Sequence, residues 1–230
     1  MSAAPLHRQE RERLEALRQY HILDTSPEKG FDDLTYLASA LCATPIAVVT
    51  FLDKDRQWFK SRIGMNVPQT ARSISFCAYT ILQHSIMVVP DLTSDQRFAD
   101  NPMVTGTPDL RFYAGVPVFS RHGFSLGTVA VMDRTSRTLT VGQEESLRAI
   151  SRLASSMLEL RRVNGELIAA QDAMNLYSEI LPVCSSCRKV KSEEGEWVIL
   201  EQYVKEHLHD SSQGICPDCA NRLYPDYIRS

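Results

Sequence analysis

Two Cys-x-x-Cys pairs near the C-terminal end constrain the fold of this chain more than any other feature. The first pair is Cys184 and Cys187, and the second pair is Cys216 and Cys219. Each pair can place two thiolates on one side of a tight turn, and two such turns complete a tetrahedral all-sulfur site, most often for zinc, with iron as the alternative. A segment of about 50 residues buries too little apolar surface to fold unaided. Residues 182–230 are therefore predicted to form a small zinc-ribbon-like module held together by its metal.

The charge of this segment argues against nucleic acid as a partner. From residue 182 onward the chain has six basic and eight acidic residues, and the whole 230-residue chain has a net charge of −3. Four thiolates on a divalent metal add about two further negative charges. Because a surface that binds phosphates needs an excess of Lys and Arg, nucleic acid is not an expected partner, and a nucleic-acid-binding regulator is kept only as an alternative.

Residues 141–181 are predicted to form one long helix that carries a dimerisation seam. Apolar residues recur there at alternating spacings of four and three, which is the repeat of a coiled coil. The predicted seam consists of Leu153, Met157, Leu160, Asn164, Leu167 and Met174. Asn164 falls at an a position, where asparagine fixes the register of parallel two-stranded coiled coils. We expect a parallel homodimer, and the alternative is a single helix whose stripe packs against its own domain.

The preceding residues alternate between helical and strand patterns. An exposed amphipathic helix is predicted over residues 8–20, and a second helix is predicted from Phe31 to Leu41, ending before Pro45. The β-branched and alternating runs predict strands at Ile46–Leu52, Gln57–Ile63, Ile86–Val89, Leu110–Phe119 and Ser125–Met132. These patterns alone predict an α+β domain with an antiparallel sheet.

Several short motifs then give residues 8–160 a family resemblance. They are Leu-Asp-Thr-Ser-Pro-Glu at 23–28, Asp-Lys-Asp-Arg-Gln-Trp-Phe-Lys-Ser at 53–61, Ser-Phe-Cys at 75–77 and Arg-Phe-Tyr-Ala-Gly at 111–115. In this order they resemble the GAF domain, in the bacterial subgroup found ahead of histidine kinases and diguanylate cyclases. The resemblance implies a central antiparallel sheet of five or six strands with flanking helices, a ligand-sized pocket and a sensory role. It does not name the ligand, because the motifs of cyclic-nucleotide and bilin-binding GAF domains do not occur here.

The candidate pocket residues combine a thiol with aromatic and charged side chains. They are Phe76, Cys77, Asp95, Arg111 and Tyr113. Cys77 begins a predicted short helix, whose N-terminus favours a thiolate, and the alternative is a packed thiol. Arg111 and Arg72 either clamp an anionic ligand or form ion pairs that hold the pocket loops, and the sequence leaves both interpretations open.

The tail also resembles a known unit. Gly195, Trp197 and the two Cys-x-x-Cys pairs are similar to a bacterial four-cysteine tail attached to GAF, PAS and response-regulator domains. Since no kinase, cyclase, phosphodiesterase or helix-turn-helix signature follows the long helix, we expect a non-enzymatic signal-sensing protein whose output passes through a protein partner. A redox-responsive protein that acts through Cys77 or the four-cysteine site is the alternative.

The domain plan that follows has three parts. We expect a GAF-like sensory domain with its N-terminal helix at 1–160, a signalling and dimerisation helix at 141–181, and the metal module at 182–230. The N-terminal residues lack the apolar stretch of a signal peptide, and no apolar run approaches the ~20 residues of a membrane span. The expected location is therefore the cytoplasm, with no membrane as a partner.

Overall fold

The computed structural model describes residues 3–178, 182–192 and 195–207, and it describes side chains up to residue 172 in the long helix and residue 204 in the last helix. The chain divides into two compact units, Met1–Ile168 and Ala169–Ser230. In the described parts of the chain, no helix has both the length and the hydropathy that a membrane crossing requires.

The first unit is built on a six-stranded antiparallel sheet with the order β3-β2-β1-β6-β5-β4. Its strands are β1 Ile46–Leu52, β2 Arg56–Ile63, β3 Gln69–Ala71, β4 Met87–Val89, β5 Phe112–Phe119 and β6 Ser125–Asp133. The predicted α+β fold with an antiparallel sheet is confirmed. The sequence did not predict β3, because its three residues are too few to show a period of two.

Helices cover both faces of the sheet. They are α1 Glu10–Gln19, α2 Lys29–Cys42, α3 Cys77–Thr80, α4 Pro102–Thr105 and α5 Val141–Ser178, with a 3-10 turn at Arg72–Ile74. Successive side chains of β6 enter different cores, as the pleat requires: Val129 and Val131 pack with α1, α2 and α5, whereas Ala130 and Met132 pack on the side of α3 and α4. The sheet is therefore buried on both faces, which explains why β1 and β6 contain almost unbroken apolar runs.

The N-terminal helix differs from the sequence-based expectation. It was predicted to be exposed, but Arg13 in α1 is fully buried. The carboxylate of Glu10 accepts from Arg13 Nη2 at 2.7 Å and from Arg72 Nη1 at 2.6 Å, and Arg72 also donates to the carbonyl of Asp53 at 2.9 Å. The charges that suggested a solvated helix instead attach α1 to the β1–β2 turn.

The second unit contains a short hairpin and a helix. Strands β7 Val190–Lys191 and β8 Trp197–Val198 pair antiparallel, and α6 covers Leu200–His207. Gly195 lies in the turn with φ +88°, a conformation that favours glycine. The predicted metal ligands Cys216 and Cys219 lie outside the described residues.

Candidate functional site

Three of the candidate pocket residues come together beneath α3. The sulfur of Cys77 lies 3.4 Å from Gln57 Nε2 and 3.4 Å from the Tyr113 hydroxyl. Phe76 packs edge-on against Phe98 with ring centroids 5.1 Å apart. Phe76, Cys77 and Tyr113 are each at most 2% exposed. Their side chains therefore fill this part of the core.

The surroundings of Cys77 favour the neutral thiol. Burial raises the pKa of Cys77, and the hydroxyls of Thr128 and Tyr113 lower it only in part. Burial, together with the neighbouring thiol, raises the pKa of Tyr113 well above its usual value. Helix α3 has only four residues, so its dipole is too small to offset the cost of burying a thiolate. Only the thiolate form of a cysteine is reactive. Because Cys77 is held as the neutral thiol, the structure supports the packed-thiol interpretation.

Several uncharged polar groups surround this thiol, and they were not among the site residues predicted from the sequence. Thr50 and Thr128 face each other across β1 and β6 and are fully buried. Both hydroxyls lower the pKa of Cys77, yet within the described structure neither makes a hydrogen bond of good geometry. Gly115 is the residue of the sequence that could have indicated this cluster. A Cβ at that position would lie 2.2 Å from the Tyr113 hydroxyl. This glycine gives the tyrosine room to reach the cluster.

The charged candidates are held by their own neighbours. Asp95 pairs with Arg97 at 2.6 Å, and Arg111 pairs with Asp109 at 2.6 Å. Arg111 also donates to the carbonyl of Val104 at 2.9 Å. Since Arg72 is engaged by Glu10, both arginines proposed as an anion clamp have partners within the protein. The structure supports the interpretation in which they hold loops.

The predicted seam on α5 can be followed up to residue 172. Leu153, Leu160 and Leu167 are 52%, 68% and 63% exposed, and Asn164 is also exposed. Met157 is half-buried, because its side chain lies against Gly30 of α2. The helix contacts the core instead through Leu147, Ile150, Ala154 and Leu158. The side chain of Met174 lies outside the described residues.

Helix α2 presents a second apolar surface beside α5. Gln143 Nε2 at the start of α5 donates to the carbonyl of Cys42 at the end of α2 at 3.2 Å. Tyr36, Leu37 and Leu41 of α2 are 65%, 42% and 50% exposed. Cys42, the last residue of α2, is fully buried. Exposed apolar residues therefore lie on both neighbouring helices.

Ion pairs attach α5 to the rest of the first unit near Leu158. Lys60 of β2 is buried and donates to Glu28 Oε1 at 2.7 Å, and Arg161 of α5 binds the same carboxylate. Two residues before Arg161, Glu159 accepts a hydrogen bond from the Tyr20 hydroxyl at 2.9 Å. A single carboxylate thus joins the sheet, the beginning of α2 and the long helix.

The first Cys-x-x-Cys pair forms a tight turn. Arg188 N donates to the carbonyl of Cys184 at 2.9 Å, Cys184 N donates to the carbonyl of Lys189 at 2.8 Å, and Arg188 has φ +61°. Cys187 N points to the sulfur of Cys184 at 3.5 Å. The backbone N–H groups of this turn lower the pKa of Cys184, and the N–H of Cys187 has the largest effect. A turn whose amides favour a thiolate suits one half of a four-thiolate metal site.

The antiparallel sheet between two helical layers defines an α+β domain. Residues 26–158, more than half of the chain, match the GAF domain family, and this protein belongs to it.

Individual relatives cover different parts of the chain. A protein of Pseudomonas aeruginosa named cyclic di-GMP phosphodiesterase is 40% identical over 137 residues, which are 60% of this chain and 23% of that protein. The GAF domain of an Acinetobacter phosphoenolpyruvate-protein phosphotransferase is 16% identical, with a TM-score of 0.49 over 67% of this chain and 98% of that one. The chromophore-binding domain of a bacteriophytochrome from R. palustris is 11% identical, with a TM-score of 0.49 over 70% of this chain and 65% of that one.

The first of these relatives corrects the expectation that the protein is non-enzymatic. That expectation depended on the absence of enzyme signatures after the long helix. A relative named as a phosphodiesterase contains the same GAF region within a much longer chain. Missing motifs beside a GAF domain are therefore poor evidence against an enzymatic role.

Proposed function

We propose that this protein is a bacterial signal-sensing regulator whose GAF domain dimerises through α5 and transmits its state along that helix to the segment 182–230. The observation that carries the proposal is the row of exposed leucines, Leu153, Leu160 and Leu167, on the side of α5 that its own core does not use. Isolated exposed leucines are ordinary, but a row with coiled-coil spacing favours a partner helix with the same pattern.

The exposed leucines allow an estimate of how much free energy the seam contributes to dimerisation. Fully burying a leucine contributes about 1.5–3 kcal/mol, so three half-exposed leucines from each of two protomers contribute roughly 5–9 kcal/mol. Association costs about 4–15 kcal/mol in lost freedom of motion, so the seam alone does not give a stable dimer. We therefore include the exposed face of α2, formed by Tyr36, Leu37 and Leu41, in the proposed interface.

The ion pairs around Glu28 provide the link between the domain and its output. A signal that moves the sheet shifts Lys60, and the shared carboxylate passes this displacement to Arg161 on α5. In a dimer, a small rotation or splaying of two such helices is an established way to change what lies beyond them. The signal itself is a small ligand or a protein partner of the GAF domain.

The proposed output segment carries a structural metal. Cys184 and Cys187 would bind zinc together with Cys216 and Cys219, and the metal would supply cross-linking rather than chemistry. The turn at Cys184–Arg188 supports this role through its backbone N–H groups. Iron has the same geometric requirements, and elemental analysis distinguishes the two metals.

Sedimentation velocity at tens of micromolar tests the proposal. The unchanged protein should sediment as a dimer, and Leu153→Glu with Leu160→Glu should sediment as a monomer with the circular dichroism spectrum of the folded protein. Val141→Glu is the matched control, because Val141 is an exposed apolar residue of the same helix outside the seam. A monomer for the unchanged protein, or a dimer for the double variant, would contradict the proposal.

A second candidate function comes from the relative named as a cyclic di-GMP phosphodiesterase. If this protein takes part in the turnover of the same nucleotide, incubation with cyclic di-GMP and a divalent metal should yield the linear dinucleotide on ion-exchange chromatography. A rate that depends on protein concentration would support this function. An unchanged substrate would leave the regulatory proposal as the better account.

A further inference from the structure

The first unit contains a cleft that the functions above do not use. Its volume is about 250 Å³, and it lies between the edge of the sheet and α5. Strand β4 pairs with β5 only from Met87 to Val89, opposite Gly115 to Tyr113. The chain before Met87 leaves the sheet there, so the second half of β5 has no strand on that side among the described residues. The cleft is the space that this early departure opens.

The backbone at this sheet edge already has partners. Ser151 of α5 donates its hydroxyl to the carbonyl of Pro117 at 2.5 Å, and Phe119 N donates to Ser155 Oγ at 3.0 Å. A peptide that adds a strand needs free backbone groups, and here the serines of α5 occupy them. The cleft therefore suits a ligand that contacts side chains.

Those side chains form an apolar floor and a basic wall. Ile86, Val116, Pro117 and Phe119 line the floor, and Arg148 and Arg152 lie one helical turn apart on the wall. A space of about 250 Å³ corresponds to roughly eight water volumes, enough for a single ring with one substituent. We propose that this cleft binds a small aromatic acid, with its ring on the floor and its carboxylate or phosphate on the two arginines.

The existing partners of the arginines leave room for such an anion. Arg148 donates to Glu144 at 2.9 Å and also lies 3.6 Å from Glu145, to which Arg152 donates at 3.2 Å. The two arginine side chains are 36% and 66% exposed. Ion pairs with this exposure contribute little. Each guanidinium has five N–H groups, so donors remain for a second anion. A ligand that covers the two guanidinium groups shields them from water, so water screens its contact with them less than it screens the exposed pairs with Glu144 and Glu145.

The cleft and the proposed dimer seam lie on different flanks of α5. At 3.6 residues per turn, the cleft residues Arg148 and Arg152 lie about 100° and 140° from Leu147 around the helix axis, and the seam residues Leu153 and Leu160 lie at about 240° and 220°. A ligand in the cleft therefore reaches α5 without disturbing the seam. It also joins the β4–β5 edge to the signalling helix, so it offers a second input that does not depend on the buried Cys77 region.

Isothermal titration calorimetry with benzoate and phenyl phosphate tests this proposal, with benzamide as the uncharged match. At least one acid should bind with a Kd of about 0.1–1 mM, and benzamide should bind at least about tenfold more weakly because it cannot form charge-assisted hydrogen bonds. The two acids separate a carboxylate-binding site from a phosphate-binding site.

Two variants and a control locate the binding site. Arg148→Gln with Arg152→Gln should weaken the acid at least about tenfold. Ser85→Trp should abolish binding by filling the mouth of the cleft, where Ser85 is exposed, without removing any charge. Arg121→Gln, a surface arginine on the β5–β6 turn beside His122, should bind like the unchanged protein. Absence of heat with both acids at about 10 mM, or equal affinity of all variants, would overturn the proposal.

Discussion

Replacing Glu10 by Gln should destabilise the first unit far more than its place at the start of a helix suggests. The carboxylate of Glu10 lies between two guanidinium groups, those of Arg13 and Arg72, whose side chains are 0% and 9% exposed. Without the Glu10 carboxylate, the two buried guanidinium groups lose the anion that they share. Changes of this type cost about 3–5 kcal/mol, because the remaining charges stay out of water.

The pKa of Glu10 gives an independent magnitude. Desolvation raises this pKa, but the hydrogen bonds and charges of Arg13 and Arg72 outweigh desolvation and lower it from 4.5 to about 2. A shift of roughly 2.5 units at 1.36 kcal/mol per unit corresponds to about 3 kcal/mol. Because the folded pKa is the lower one, this stability is fully present above pH 4.5 and is lost as the pH falls toward 2.

Urea unfolding followed by circular dichroism measures this effect. At pH 7, Glu10→Gln should lower the free energy of unfolding by about 3 kcal/mol, and the gap to the unchanged protein should narrow steadily below pH 4.5. Glu15→Gln, an exposed residue of the same helix, should stay within about 0.5 kcal/mol. A loss under about 1 kcal/mol at pH 7, or a gap that does not change with pH, would refute the reasoning.

Three further changes have definite expected outcomes. Gly115→Ala should cost about 1–3 kcal/mol of unfolding free energy, because the new Cβ would meet the Tyr113 hydroxyl; a neutral result would show that the tyrosine moves freely. Lys60→Met should cost about 1–3 kcal/mol by removing the donor that Glu28 and the Ser26 carbonyl share, and equal stability in urea would contradict that. Elemental analysis should find about one zinc per chain, lost in Cys184→Ser with Cys216→Ser; a full zinc content in that variant would exclude the site.

The sequence predicted those parts of the fold that depend on local patterns. β-Branched runs placed β1 to within a residue at each end, since a strand buried on both faces has a simple apolar signature. The helix over Val141–Ser178 was visible from its repeat alone. Such regular patterns involve residues that are close together along the chain, so they can be recognised in a single sequence.

Long-range pairings were not visible in the sequence. Glu10 and Arg72 are 62 positions apart, and Glu10 belongs to a charged stretch typical of solvent-exposed segments, so α1 appeared exposed. The site shows the same limit: Phe76, Cys77 and Tyr113 were placed together, but the partners of Arg111 depend on how loops fold. The cleft beside α5 exists because β4 ends early, and no local pattern in the sequence marks that event.

Oxidative cross-linking of Leu160→Cys tests the central proposal, dimerisation through a parallel α5 seam, most directly. In a parallel seam the two copies of residue 160 lie opposite each other, within the Cα separation of about 4.4–6.8 Å that a disulfide needs. The zinc-loaded variant should form a disulfide-linked dimer within minutes of mild oxidation. Glu166→Cys, exposed on the same helix but outside the seam, should remain monomeric on a non-reducing gel. Equal cross-linking of the two variants, or none at Leu160→Cys, would contradict the proposed dimer.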